Sequence, residues 1–434
     1  MRNSRPQQPL LADAEINPQV EPPAAPLVVI GIGAAGLATL NQQAIAALRC
    51  ADIVYGSARQ LGLLAADPAC CTALQQQWPS PLLPHLATTI GDITDGKRRV
   101  VLASGDPLFY GIGTTLINRY GRDQVQIISN VSSFQLACAA LGWSTATTPV
   151  VSVLTQPVSV LQPLLDQGQP VMVLCRNRDT VTDLRDLLCS RGTPEITVTV
   201  LSDLGSRTQR IVAACAADLV APDSDLVIAA VHPASPIRSV LPGLDEQEYQ
   251  HDGQITKRIA RSVTVCALRP MPGDHLWDIG GGSGSVAIEF CRSTPKTTAT
   301  IFESNLQRQA TITANVEQLV GSRIELSGAA PDACEKTLAA AHNGTGRLPT
   351  KIFIGGGLTH PGVVDIALAA LTPGGVLVAN AVTLETQALL RELHANHGGE
   401  LVGLQVSDYH PVGSFGTLRP QLPLQQWRYV KPAA

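Results

Sequence analysis

Charge is scarce in this sequence. Asp, Glu, Lys and Arg make up 15% of its 434 residues, against ~25% in ordinary globular chains, while 45% are hydrophobic. A chain of this kind buries much of its surface, with both faces of some sheets covered. The net charge is −4 and there is no basic tail; the densest cationic cluster is Lys97-Arg98-Arg99. A long nucleic acid needs a basic face, so no nucleic-acid partner is expected. A small polyanion needs only a local cluster of Arg and Lys.

Other absences narrow the field further. The ten cysteines form no C-x-x-C pair, and Cys138, Cys175 and Cys266 sit inside apolar runs. They read as reduced thiols of a cytoplasmic protein. The histidines show no H-E-x-x-H spacing, and no metal site is expected. Residues 1–25 hold Pro6, Asp13, Glu15, Pro18, Glu21, Pro22 and Pro23, which reads as a disordered tail without the apolar region of a signal peptide. The first apolar block, Leu27 to Leu48, is broken by glycines and by Asn41-Gln42-Gln43, so no membrane span is expected.

Apolar strand-like runs alternate with helical segments from Pro26 onward, which predicts parallel α/β architecture. The first series reads VVIGIG, ADIVYG, RRVVLASG and QVQIISN; the second reads TPVVSVLT, QPVMVLC, ITVTVLSDLG and DLVIAAVHP. A stretch rich in proline, glycine and acids, 232–254, marks the domain boundary, placed between 240 and 241. A helix is expected over Ile255–Leu268. The strands HLWDIG, TATIFE, RIELSG, KIFIGGG and GGVLVANAV then give the order of one doubly wound domain. Near the end, DYHPVGSFGTLRP and QQWRYVKP predict an antiparallel hairpin.

Two glycine-rich turns stand out. In LWDIGGGSGSVAIE, Gly280, Gly282 and Gly284 follow a strand and open a helix, where free backbone N–H groups meet a ligand. A dinucleotide fingerprint asks for glycine or alanine at 285; Ser285 stands there. Asp278 precedes the turn, and Glu303 ends the next strand, 23 residues after Gly280, where a carboxylate accepts ribose hydroxyls. Small residues, Ser327 to Pro331, end the third strand beside the expected adenine. The earlier turn, GIGAAG at Gly31 to Gly36, matches G-x-G-x-x-G, but its following strand ends in Gly56-Ser57 with no ribose-binding acid, which argues against NAD or FAD.

Beyond the glycine turn, HDGQITKR, GAAPDA, FIGGGL and LTPGGVLVANAVTLET, within about 245–430, make this half resemble the decarboxylating methyltransferases of cobalamin biosynthesis that act on carbon 15 of a precorrin. The resemblance implies a Rossmann-like class I methyltransferase domain. Thr256, Asp278, Gly280, Gly281, Gly282, Ser283, Gly284, Glu303, Ala329 and Ala330 would then hold S-adenosylmethionine. This chain has Ile259 where members often carry Glu, and Ala329 where some carry Asp.

LASGDPLFYGIG, VSSFQLACAALGW and LGSRTQRI, within about 26–240, resemble the tetrapyrrole methylases, and among them the carbon-5 precorrin enzymes. That resemblance implies a fold of two α/β subdomains with its own S-adenosylmethionine site, contacted by Asp106, Phe109, Ser132 and Ser133 with Ile32 beneath. Ser152-Val153-Leu154-Thr155-Gln156 replaces the Ser-Leu-His-Gly-Arg of many relatives.

Methyl transfer needs alignment and water exclusion more than acid or base, in keeping with glycine turns and no catalytic triad. A precorrin carries many carboxylates, so its cleft needs cations; Lys257, Arg258 and Arg261 are the candidates. Asn380 and Glu385, after the fifth strand, are the candidates for orienting or acid–base roles. Together the resemblances imply one homo-oligomeric enzyme that methylates carbons 5 and 15 of a tetrapyrrole and removes one acetate carboxyl. The alternatives are a cobalt-containing substrate, an RNA methyltransferase, an oxidoreductase, and a non-catalytic S-adenosylmethionine sensor.

Overall fold

The structure, a computed structural model, describes residues 26–65 and 68–433; the tail expected over 1–25 lies outside them. The first sheet holds β1 (Leu27–Ile32), β2 (Ile53–Gly56), β3 (Leu74–Gln77), β4 (Arg99–Ser104) and β5 (Val125–Ile128), in the order β3-β2-β4-β1-β5. Its pairs are parallel. Strand side chains alternate between faces, and here both faces are buried. Val28, Ile30 and Ile32 enter one core with Val54 and Leu102; Leu27 and Val29 enter another with Tyr55 and Val101.

The second sheet holds β6 (Val150–Ser152), β7 (Val171–Leu174), β8 (Thr197–Ser202), β9 (Arg210–Cys215) and β10 (Val227–Val231), ordered β6-β7-β10-β8-β9. It is mixed: β6 runs parallel to β7, but β10 runs antiparallel to it. This corrects the all-parallel expectation. A strand buried on both faces is a continuous apolar run in either direction, so the run carries no direction.

The third sheet follows in β11 (His275–Ile279), β12 (Thr298–Phe302), β13 (Ile324–Ser327), β14 (Lys351–Ile354), β15 (Val376–Ala381) and β16 (Glu400–Leu404). After β17 (Ser407–Val412) and β18 (Phe415–Pro420), the chain returns as β19 (Leu424–Val430). The order is β13-β12-β11-β14-β15-β19-β16, with β19 antiparallel to both neighbours. The winding direction reverses between β11 and β14, and such a reversal opens a crevice at the strands' carboxyl ends. The late hairpin is β17 with β18; QQWRYV belongs to the main sheet instead.

Contacts divide the chain into two compact units, one holding Leu201–Ile211 with the residues up to Thr147, the other Thr148–Val200 with Val212–Ala434. The second unit ties Thr148–Val200 to the C-terminal sheet through buried groups. Arg292 donates to Asp166 at 2.7 Å, and Gln162 donates to the Glu317 carbonyl at 3.1 Å. This grouping differs from the boundary drawn in chain order at 240–241.

Candidate functional site

The turn after β11 is left-handed at Gly280 (φ 75°), Gly282 (φ 59°) and Gly284 (φ 76°), which favours glycine. A Cβ on Gly280 would lie 2.6 Å from the Gly356 nitrogen, so two backbones meet there with no room for a side chain. The Gly282 N–H donates to Glu303 Oε2 at 2.9 Å, and the Asn305 N–H donates to Oε1 at 2.9 Å. Glu303 is thereby fixed at the end of β12, 5% exposed, with lone pairs left for hydroxyls.

This turn floors a cleft of about 810 Å³ lined by Thr256, Lys257, Gly280, Gly281, Gly282, Ser283, Glu303, Ala329 and Ala330. Ser283 Oγ is buried there with no hydrogen-bond partner in the protein. An orphaned hydroxyl beside a side-chain-free turn and a fixed carboxylate fits the polar adenosine and methionine groups of S-adenosylmethionine.

The structure places other expected residues elsewhere. Gly284 closes the turn against Ile301 and Ile312 and does not line the cleft. Arg261 is fully buried, donating to Glu289 Oε1 at 2.7 Å, to the Thr256 carbonyl at 2.7 Å and to the Leu244 carbonyl. Its guanidinium is spent inside the protein, which corrects its assignment to substrate. Lys257 caps the helix that begins at Arg258, and its carbonyl accepts from the Arg261 N–H at 2.8 Å. Arg258 is absent from the cleft lining and pairs with Asp245 at 3.4 Å. Glu385 is exposed in the first turn of the helix Leu384–His397, also outside the lining, where the helix dipole favours a carboxylate. Asn380 does line the cleft, its amide held by Thr264 Oγ1 (2.8 Å) and Gln426 Nε2 (2.9 Å).

Asp278 is the largest correction. It lies 1% exposed beneath the helix Ser285–Ser293, accepting from the Ala287 N–H at 3.2 Å, with Oδ1 unpartnered. It supports the turn and touches no part of the cleft. Burial pushes its pKa up to about 7; the Ala287 N–H opposes this and the Glu303 charge adds to it. An unfolded Asp ionises near ~3.9, so between those values the folded chain retains a proton that the unfolded chain has lost. Stability therefore falls as pH rises from about 4 to about 7, then levels. Asp278→Asn removes that fall: in urea melts, the variant gains stability relative to the parent between pH 5 and pH 8. A pH-independent difference contradicts the assignment.

In the first unit, a Cβ on Gly31 would lie 2.0 Å from the Gly105 carbonyl, so β1 and the loop after β4 meet backbone to backbone. Asp106 accepts from the Leu108 N–H at 2.8 Å and lines a hollow of about 380 Å³ with Gly31, Asn41, Asn130 and Gln135. Phe109 stacks on Phe134 at 5.4 Å. Ser132 is buried and spends its hydroxyl capping the helix Ser133–Leu141 in a box with Gln135; Ser133 is exposed. Ile32, 1% exposed, belongs to the core. Only Asp106 of these five lines the hollow, which corrects the idea of Ile32 as a ligand floor.

Three features of the cleft were missed in the sequence: the loop Gly355–Gly357 with His360, the network behind Asn380, and Asp408 on the hairpin with Leu422 after it. FIGGGL did hold a signal. Glycines after a strand in a doubly wound sheet mark a turn that a ligand can approach.

Two family models match the chain. Residues 26–220 match "Tetrapyrrole (Corrin/Porphyrin) Methylases" and residues 247–431 match "Precorrin methyltransferase domain". The chain is 38% identical, over 93% of its length and 100% of the relative's, to a precorrin-6Y C(5,15)-methyltransferase [decarboxylating] of Mycobacterium tuberculosis. It is 37% identical to one from Sinorhizobium, covering 93% of this chain and 96% of that one. The crystal structure of the C-terminal domain of precorrin-6Y C5,15-methyltransferase from Rhodobacter capsulatus matches 45% of this chain and 100% of its own. The identity is 37% and the TM-score 0.40.

Proposed function

The chain belongs to the family of decarboxylating precorrin-6Y C(5,15)-methyltransferases, and from that premise we propose that each half holds its own S-adenosylmethionine. Residues 26–240 methylate carbon 5 of precorrin-6Y; residues 241–434 methylate carbon 15 and remove the ring acetate carboxyl, giving precorrin-8. The observation that carries this reading is the pair of backbone-to-backbone glycine contacts, Gly280 on Gly356 just after β11 and Gly31 on Gly105 within β1.

When bound, S-adenosylmethionine supplies an electrophilic methyl on a sulfonium. The chain's part in the C-terminal half is positional. Glu303 would hold the ribose hydroxyls, the Gly280–Gly282 turn would let the ligand approach the main chain, and Ser283 Oγ would supply a further hydrogen bond. Lys257 brings one ammonium to the cleft for a substrate carboxylate. Asn380 presents an amide already oriented by Thr264 and Gln426. In the N-terminal half, Asp106 would hold a polar group of the ligand.

Incubating the protein with S-adenosylmethionine and precorrin-6Y, then weighing the product, tests the function. Two added methyls with one lost carboxyl are expected; an unchanged tetrapyrrole overturns the reading. The cobalt complex of the substrate, run alongside, decides between the two forms.

A cytoplasmic homo-oligomer completes the proposal. Among the described residues no helix is long and apolar enough to cross a membrane. Every residue of β17 and β18 is exposed, including Tyr409, Val412, Phe415 and Leu418. A two-stranded ribbon is marginal alone, and apolar patches of this kind mark interfaces. Phe415→Asp is expected to lower the mass seen in sedimentation; a monomeric parent contradicts the oligomer.

A further inference from the structure

Removal of an acetate carboxyl leaves a problem that the cleft must solve. As the bond between the methylene carbon and the carboxylate breaks, carbon dioxide departs and the electron pair passes into the macrocycle. The methylene carbon becomes a methyl only by gaining a proton. A group that delivers it must line the cleft, hold a proton near neutral pH, and be fixed relative to the cofactor turn.

We propose that His360 is that proton donor, a role that rests on the decarboxylating reading above. His360 lines the same cleft as Glu303 and the glycine turn. It sits in the loop after β14, beside the reversal of winding where doubly wound sheets bind their ligands. The loop is anchored to the end of β11, for the Gly355 and Gly356 N–H groups donate to the Ile279 carbonyl at 3.0 and 3.4 Å. The His360 N–H donates to the Gly357 carbonyl at 2.9 Å, and its carbonyl accepts from the Val363 N–H at 3.3 Å. The ring is therefore carried on a braced backbone.

The ring's own bonding suits a donor. Nδ1 lies 3.2 Å from the Pro361 carbonyl, an acceptor that fixes the proton on Nδ1. In the imidazolium, Nε2 then carries the second, transferable proton. The other titratable groups of the cleft are committed differently. Both Glu303 oxygens accept backbone N–H bonds, from Gly282 and Asn305. Asp408 accepts from Gln421 Nε2 at 2.7 Å on the exposed hairpin, Arg308 pairs with Asp252 at 2.8 Å, and Lys257 is assigned to a substrate carboxylate. The charged groups on the adjoining segments, Asp332 and Asp365, are carboxylates that open the helices Asp332–His342 and Val363–Ala370. The step balances: the imidazolium gives one proton to carbon, the carboxylate leaves as carbon dioxide, and water reprotonates the imidazole.

The test is His360→Gln in the full chain, assayed with S-adenosylmethionine and precorrin-6Y across pH 6 to pH 9. In the parent, carbon dioxide release falls as the imidazolium is lost at alkaline pH. The variant is expected to release it about 100-fold more slowly with that alkaline limb gone. Calorimetric affinity for S-adenosylmethionine stays unchanged, and added imidazole restores part of the rate to His360→Gly. A rate within about 3-fold of the parent, or a loss that keeps the alkaline limb and ignores imidazole, overturns the proposal. Failure of the parent itself to release carbon dioxide overturns the decarboxylating reading instead.

Discussion

Gly280→Ala is expected to abolish S-adenosylmethionine binding in the C-terminal half and to leave the N-terminal half able to bind. The residue is left-handed, φ 75°, a conformation that costs an L-residue about 1–2 kcal/mol. The added methyl also meets the Gly356 backbone at 2.6 Å. A flexible side chain could swing aside, but a main chain hydrogen-bonded to Ile279 cannot. The turn must open, and the Gly282 N–H then leaves Glu303. The expected loss of affinity is more than about 100-fold, or about 2.7 kcal/mol, with methylation at carbon 15 lost as well. Calorimetry and product mass check it, with circular dichroism confirming the fold. Retained affinity places the ligand elsewhere; loss at both sites shows that the two centres are not independent.

Asp166→Ala is the most destabilising single substitution expected. Its carboxylate is fully buried and meets Arg191 at 2.7 Å, Arg238 at 3.2 Å and Arg292 at 2.7 Å, all three largely or fully buried. Removing the anion leaves guanidinium groups together in the interior. Breaking one buried pair in this way costs about 3–5 kcal/mol. Arg292 lies on the helix that starts at the glycine turn, so the disturbance also reaches the cofactor loop. A marked drop in the urea midpoint is predicted, whereas Arg178→Ala, at an exposed pair with Asp225, leaves the midpoint in place. Equal, small effects contradict the burial account.

What could be read in advance was what chain order and residue type encode. Glycines after β11 and an acid at the end of β12 are local features, and the structure puts them together in one cleft. Facing is harder to read. Trp277 and Ile279 enter one core and Leu276 another, so alternation puts Asp278 on the Leu276 side, beneath the helix and away from the ligand. Arg261 likewise belongs to a stripe, Arg261, Thr264, Val265 and Leu268, all buried; its charge masked a core spacing. The antiparallel β10 and the position of β19 were hidden because strand direction and pairing depend on distant partners. His360 escaped because a lone histidine in a loop has no spacing to betray it.

The central claim is two separate S-adenosylmethionine sites on one chain, and counting bound ligand tests it most directly. Equilibrium dialysis of the full chain against saturating labelled S-adenosylmethionine is predicted to find two per chain, falling to one in Gly280→Ala. One per chain in the parent, or an unchanged count in the variant, contradicts the account.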